Sequence, residues 1–245
     1  MENHMSLVID AHNHIGTRHG ARQTGADLVT KMDQAGVAKA VIFPFVEGNF
    51  TNEAVKVAFD EFPNRLIPYC AVNPWQPDAV DELRRCVRDW GFKGLKLHPT
   101  INGYHLADPG LVNPLFEEAG DLGVPIIVHG ASDLYNAPPE FAEMARRFPR
   151  VNLLMAHMGF FWSVEQAIAY AKEFPNLYLE TSRAPIFEIT TAVRELGPDK
   201  VIWGTDSPFV DYEWEFKKMV RCSADRAVYE RVVGGNIAGI LDITA

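Results

Sequence analysis

Eight short, mostly apolar runs, each followed by a longer amphipathic stretch, repeat from one end of this 245-residue chain to the other. The runs begin near Leu7, Lys39, Leu66, Lys93, Pro125, Asn152, Leu177 and Lys200. Their brevity and near-continuous apolar character suit parallel strands buried on both faces. The stretches between them carry helix-start signals. Thr51 can cap a helix running through Glu53 and Val57. Pro77 and Asp78 open a helix over Val80–Trp90, Asp108 caps one with Pro109 at its first position, and Pro138 and Pro139 open one ending near Phe148. Each start offers a side-chain acceptor for free N–H groups, or a proline where no N–H is needed. Helix ends are marked by Gly or Pro, as at Ala35-Gly36-Val37, Leu122-Gly123-Val124 and Phe148-Pro149. A repeated strand–helix order calls for a parallel sheet. An open doubly wound sheet would usually have fewer strands and a glycine-rich fingerprint after the first, where Asp10-Ala11-His12-Asn13-His14 stands instead. Eight units in about the usual length of such a fold predict an α/β chain forming a single (β/α)8 TIM barrel, one domain over 1–245.

Charge and cysteine usage narrow the partners. The formal net charge is −9, which repels phosphate backbones, so nucleic acid is not an expected partner. Cys70, Cys86 and Cys222 are odd in number and match no zinc spacing, as expected of a protein in the reducing cytoplasm. No apolar run approaches the roughly 20 residues needed to span a bilayer, and the start of the chain lacks the pattern of a signal peptide. No membrane association is expected.

The histidines fall at particular places. His12 and His14 lie at the end of the first run, His129 ends the fifth, His157 ends the sixth, and Asp206 follows the eighth. Alternate residues of a strand share a side, so His12 and His14 can point together into the barrel mouth. The C-terminal strand ends of a closed barrel converge on one face, where active sites sit. Four imidazoles and a carboxylate in one cleft suit a borderline divalent metal, zinc above all. Each residue alone has a plainer reading. A strand-end histidine is commonly a hydrogen-bonded structural group, and Asp206 before Ser207-Pro208 could serve only a turn or helix cap. Five such residues at C-terminal strand ends and none in mid-helix are harder to obtain by chance.

The chain resembles the amidohydrolase superfamily, in the amidohydrolase-related branch that contains both hydrolases and non-oxidative decarboxylases. The segments that carry the resemblance are IDAHNHIG, GFKGLKLHP, GVPIIVHG, NLLMAHMG, NLYLETS, VIWGTDSP and the closing GGNIAGIL. The resemblance implies that His12, His14 and His129 bind the metal, with Asp206 as a further ligand or as the base acting on metal-bound water. It implies that His157 lies beside that water as a proton carrier or substrate-polarising group; the alternative is that His157 completes the ligand set. Zinc is the first expectation and manganese the second, with no organic cofactor. Barrels of this branch are often dimers, so a homodimer is expected by analogy.

In Gly94-Leu95-Lys96-Leu97-His98, Lys96 and His98 share parity and can both face inward. A buried ammonium must be paired or modified. Lys96 is read as substrate-binding or ion-paired; the alternative is a carboxylated lysine bridging two metals, as in some members of the superfamily. His98 is a substrate contact or a structural hydrogen bond before Pro99. Arg183 could clamp a substrate carboxylate through two parallel hydrogen bonds, or could be a solvated surface arginine. Tyr104 and His105 sit where substrate-shaping residues would lie. Trp75, Tyr135, Phe160, Phe161 and Trp162 could wall a pocket or simply pack. His4 and His19 carry no signal.

Three functions follow. The first is hydrolysis of a small ester, lactone or amide by metal-activated water. The second is metal-dependent, non-oxidative decarboxylation of an aromatic or unsaturated acid. The third is a catalytically silent metal-binding barrel, against which the full set of candidate ligands argues. Many decarboxylating relatives are longer. The compactness of this chain, without an evident insertion after the first strand, points to hydrolysis.

Overall fold

The structure is a computed structural model that describes residues 7–18, 20–46, 52–130, 133–160, 162–222 and 225–243. The strands are β1 (Ile9–Arg18), β2 (Ala21–Gln23), β3 (Lys39–Pro44), β4 (Leu66–Ala71), β5 (Gly94–Leu97), β6 (Ile126–His129), β7 (Leu153–Ala156), β8 (Leu177–Glu180) and β9 (Val201–Ile202). The helices are α1 (Gly25–Ala35), α2 (Asn52–Glu61), α3 (Ala79–Arg88), α4 (Pro99–Asn102), α5 (Asn113–Leu122), α6 (Pro138–Arg147), α7 (Val164–Glu173), α8 (Ile186–Leu196), α9 (Tyr212–Cys222), α10 (Arg226–Glu230) and α11 (Asn236–Ile240). The sheet order is β2-β1-β3-β4-β5-β6-β7-β8-β9, and every pairing except β1 with β2 is parallel.

The two edges of the parallel sheet meet. Asp206 N donates to His12 O at 2.9 Å, and His14 N donates to Ser207 O at 2.8 Å. Asn13 forms a parallel bridge with Ser207. The eight expected strands therefore close into a barrel, with no parallel edge left open. The unexpected element is β2, which folds back on the end of β1 as a hairpin, pairing Gly16 with Gln23 and Arg18 with Ala21.

Side chains sort into two layers. Val41 and Phe43 of β3, Ile67 and Tyr69 of β4, Ile127 of β6, Leu154 of β7 and Ile202 of β9 fill the barrel interior, joined by Ile237 and Ala238 of α11. The intervening positions, such as Ala40, Ile42, Leu95, Leu97, Ile126 and Val128, pack outward against the helices. This is period-2 alternation in a sheet covered on one face by helices and filled on the other.

The helix starts need two corrections. Asp108 does not open a helix; its Oδ1 accepts from Gly110 N at 2.9 Å and Leu111 N at 3.0 Å, so it closes a local turn. The helix begins further on, at Asn113, with Pro114 in its first turn. The helix after Pro77 ends at Arg88, short of Trp90. Asp78 precedes it without a side-chain capping bond. Gly36 and Gly123 take left-handed conformations just past α1 and α5. The cap expected of Thr51 lies outside the described residues, as do His4, His19 and Phe161. Among the described residues no helix is long and apolar enough to cross a membrane.

Candidate active site

The side chains at the C-terminal strand ends reach one cavity of about 510 Å³, which His12, His14, Lys96, His98, His129, His157, Arg183 and Asp206 all line. Three local backbone features aim them there. The first is in β1. Between Asp10 and Asn13 this strand spans one residue more than its partner, where Ala40 is followed by Val41 and Ile42. Ile9 and Ala11 point into the barrel interior. Simple alternation would then turn His12 and His14 outward. The extra residue shifts the parity, so both imidazoles face inward, edge-on to Phe43 at 5.0 and 4.9 Å.

The second feature follows β7. Leu153 and Met155 face the helices, so continued alternation would send His157 outward as well. His157 instead takes a φ of 63° and Met158 a φ of 56°. That left-handed pair swings the imidazole into the cavity and returns Met158 to the outer core. The third feature is the same conformation at Arg183 (φ 61°) and Asp206 (φ 64°), after β8 and β9. A non-glycine residue held there stores roughly 1–3 kcal/mol, which the surrounding bonds must outweigh. At Asp206 they include its backbone bond to His12 O and that of Phe209 N to Asp206 O, both 2.9 Å.

His12, His157 and Asp206 each present one donor atom, and those atoms lie within 4.8 Å of one another. His14 Nε2 approaches Asp206 Oδ1 at 3.1 Å. The rings of His129 and His157 lie 4.9 Å apart, and His129 stacks on His98 at 3.9 Å. The resemblance implies His12, His14, His129 and Asp206 as ligands with His157 beside them. The tightest grouping has His157 in it and leaves His14 and His129 around it.

The protonation states fit a cation. Burial holds His12, His14, His129 and His157 below the ordinary imidazole value, with the Lys96 charge acting in the same direction. Burial would raise the Asp206 carboxyl, but His12, His14 and His157 together hold it well below the carboxylate range. Neutral imidazoles around an ionised carboxylate are the donor forms a divalent metal takes.

Two residues that sequence reasoning missed set the imidazole tautomers. His12 Nδ1 donates to Glu180 Oε2 at 2.8 Å. His157 Nδ1 donates to the Ser182 carbonyl at 3.1 Å and lies 2.9 Å from Ser182 Oγ, which itself donates to Glu180 Oε2 at 2.8 Å. With Nδ1 protonated, each ring keeps its lone pair on Nε2. Glu180 is fully buried, and burial pushes its carboxyl up. Gly204 makes room for it: a Cβ there would lie 2.4 Å from Glu180 Oε1 and 3.0 Å from His12 Cβ. The signal for Glu180 was parity, since Leu177 and Leu179 face outward.

Lys96 is wholly buried, 3.4 Å from His12 Nε2 and 4.6 Å from the centre of the Phe43 ring. Burial lowers its ammonium to about 8, while Asp206 and Glu180 raise it. At pH 7 it remains mostly protonated, with Asp206 and Glu180 as the opposite charges that act on it. His98 Nδ1 accepts from Ile101 N at 3.4 Å while its ring lines the cavity. Arg183 Nη1 lies 3.3 Å from Asp206 Oδ2.

Tyr104 does not reach the cavity. It is buried in the core between strands and helices, because the short helix α4 carries the chain away from the mouth first. His105 turns to Glu140 at 2.8 Å, and Trp75 and Trp162 stand largely exposed. Phe209 and Arg18, neither anticipated, line the cavity instead.

The family model described as Amidohydrolase matches residues 9–243. A gamma-resorcylate decarboxylase from Rhizobium radiobacter is 27% identical over 225 residues, a match covering 67% of each chain. The aligned stretch thus spans about two thirds of that relative's length. The structure of a 2,6-dihydroxybenzoate decarboxylase complexed with 2,6-dihydroxybenzoate superposes with a TM-score of 0.80 at 17% identity, covering 98% of this chain and 99% of that one. A dihydroxybenzoic acid decarboxylase from Polaromonas sp. JS666, solved with bound manganese and the inhibitor 2-nitroresorcinol, gives 0.74 at 18% identity and covers 98% of each chain. At these identities the structural likenesses speak for the barrel itself.

Proposed function

This chain belongs to the amidohydrolase family, and from that premise we propose that it is a metal-dependent enzyme releasing carbon dioxide from a small hydroxylated aromatic acid. The observation that carries the metal dependence is the meeting of His12, His157 and Asp206 donor atoms within 4.8 Å, in the protonation states a cation requires. The preference for decarboxylation rests on the relatives, whose names describe that reaction on dihydroxylated benzoates. Compactness alone points to hydrolysis. That argument loses its force because the barrel of a named decarboxylase matches this chain over nearly the whole length of both.

The residues would divide as follows. His12, His157 and Asp206 hold the metal, with His14 and His129 completing its surroundings, and Glu180 and Ser182 fix the rings. A bound divalent ion supplies a Lewis acid that holds substrate oxygens and draws charge from them. Manganese, named in the Polaromonas structure, and zinc, suited to the imidazoles, both match the donor set. Lys96 and Arg183 bind and orient the substrate's anionic groups. In the reaction the bond between ring and carboxylate breaks, carbon dioxide leaves, and the electron pair remaining on the ring carbon takes up a proton. With His157 read as a metal ligand, Asp206 would be the group that carries that proton.

Incubating the manganese- and zinc-loaded protein with hydroxybenzoates, lactones and esters tests this reading. Carbon dioxide released in step with the matching phenol is expected. Acid release from lactones or esters, without carbon dioxide from any benzoate, would restore hydrolysis.

A further inference from the structure

Gln23 stands behind the cavity and is not among the residues that line it. It ends β2, the strand that folds back on β1, and is only 1% exposed. Its Nε2 donates to His14 O at 2.9 Å, and its Oε1 accepts from Ser207 Oγ at 3.0 Å and from Lys31 Nζ at 2.9 Å. The partners settle which way the amide points, because a carbonyl can only accept and an ammonium can only donate. His14 N in turn donates to Ser207 O at 2.8 Å. Gln23, His14 and Ser207 thus close a ring of three hydrogen bonds.

That ring joins two segments whose side chains must meet. His14 Nε2 lies 3.1 Å from Asp206 Oδ1, and Ser207 directly follows that aspartate. The strand β9 stops at Ile202, so its ladder does not reach Asp206, which holds a φ of 64°. Bonds made by its neighbours must therefore hold the loop. On one side Thr205 donates to Asp10, through its N at 3.0 Å and its hydroxyl at 2.6 Å. On the other side Ser207 donates to Gln23. Glutamine suits the second task, since one planar group supplies both a donor and an acceptor.

We propose that Gln23 is a positioning residue, whose amide sets His14 against Asp206 for a bound cation. Delivering that amide is what the β1–β2 hairpin contributes to the site. The inference rests on the metal-dependent reading of the cavity, whichever reaction the cation serves. Gln23 acts through the backbone of His14 and the hydroxyl of Ser207.

Competition of the full-length protein against a calibrated chelator, with manganese and with zinc, tests this alongside thermal unfolding. Gln23→Met keeps the side chain's length and loses all three bonds. It should weaken metal binding about tenfold, the low end for a residue that supports ligands indirectly. Ser207→Ala removes one bond and should weaken binding about threefold. Because the two act along one path, adding Gln23→Met to Ser207→Ala should cost only about a further threefold. Lys31→Met removes the bond that reaches neither segment and should leave affinity within about twofold. A side chain that only packs would lower the melting temperature and leave metal affinity unaltered. Unchanged affinity in Gln23→Met, independent effects in the double variant, or an equal loss in Lys31→Met would overturn the proposal while the metal reading stands. If Gln23→Met does not fold, unchanged affinity in Ser207→Ala overturns it instead. An unaltered protein that binds neither metal overturns the metal reading and this inference together.

Discussion

The carboxylate of Glu180 accepts from His12 Nδ1 at 2.8 Å, both groups buried. That bond fixes which nitrogen of His12 is available. Replacing the carboxylate with an amide of the same shape weakens the acceptor and allows the ring to flip its tautomer. Glu180→Gln should therefore keep the fold yet lower metal affinity by about 10–100-fold. Competition against a calibrated chelator measures it. Unchanged affinity would show that the bond serves packing alone.

Gly204 tests the same arrangement from behind. The methyl of Gly204→Ala would press on Glu180 Oε1 and His12 Cβ, two groups that cannot both retreat in a fully buried site. Overpacking of this kind costs about 1–3 kcal/mol. A lowered melting temperature together with weaker metal binding is expected. Wild-type values of both would mean that the site is looser than its distances imply.

Asp206→Asn keeps the volume of the side chain and removes the charge that faces His12, His14 and Arg183. Turnover should fall by roughly 10²–10⁴-fold, the usual scale for a lost acid–base group, with the melting temperature little changed. Single-turnover rates on the preferred acid check this. A variant that turns over normally would remove Asp206 from the chemistry.

Glu215 carries a pH signature in stability. Burial raises its carboxyl to about 7, with Lys218 pulling it back. In the unfolded chain the group releases its proton near 4.5, as an ordinary glutamate does. Between those two values the folded state holds a proton that the unfolded state has lost. Stability from this group is therefore fully present below the lower value, falls as pH rises through the window, and stays low above it. The loss is on the order of 1–3 kcal/mol. Thermal unfolding of Glu215→Gln against the unaltered protein from pH 5 to 8 should show the difference shrinking or reversing in the variant's favour as pH rises. A constant difference would contradict this.

The barrel itself was legible because eight near-continuous apolar runs, such as those that bury Val41 and Ile127, leave few other architectures. Where each histidine points was less so. His12 faces the cavity through an extra residue in β1, and His157 through a left-handed backbone after Ala156. Neither departure leaves a compositional mark, since His157, Arg183 and Asp206 are not residues that announce a positive φ as glycine does. Glu180 could have been found by alternation from Leu177 and Leu179. Arg18 could not, because β1 was expected to end near His14 and the hairpin with β2 depends on pairing between residues of ordinary type. Tyr104 failed for the converse reason: its position after a strand suggested the mouth, but a helical turn intervenes.

Metal content is the quantity on which the account depends most directly. The protein and its His12→Ala variant should be purified without added metal, loaded with manganese or zinc, desalted and analysed by inductively coupled plasma mass spectrometry. About one equivalent per chain in the unaltered protein, a value near zero in the variant, and loss of turnover in step with metal removal by chelator are expected. A protein that stays metal-free after loading yet turns over its acid substrate, or a His12→Ala variant that retains its full equivalent, would contradict it.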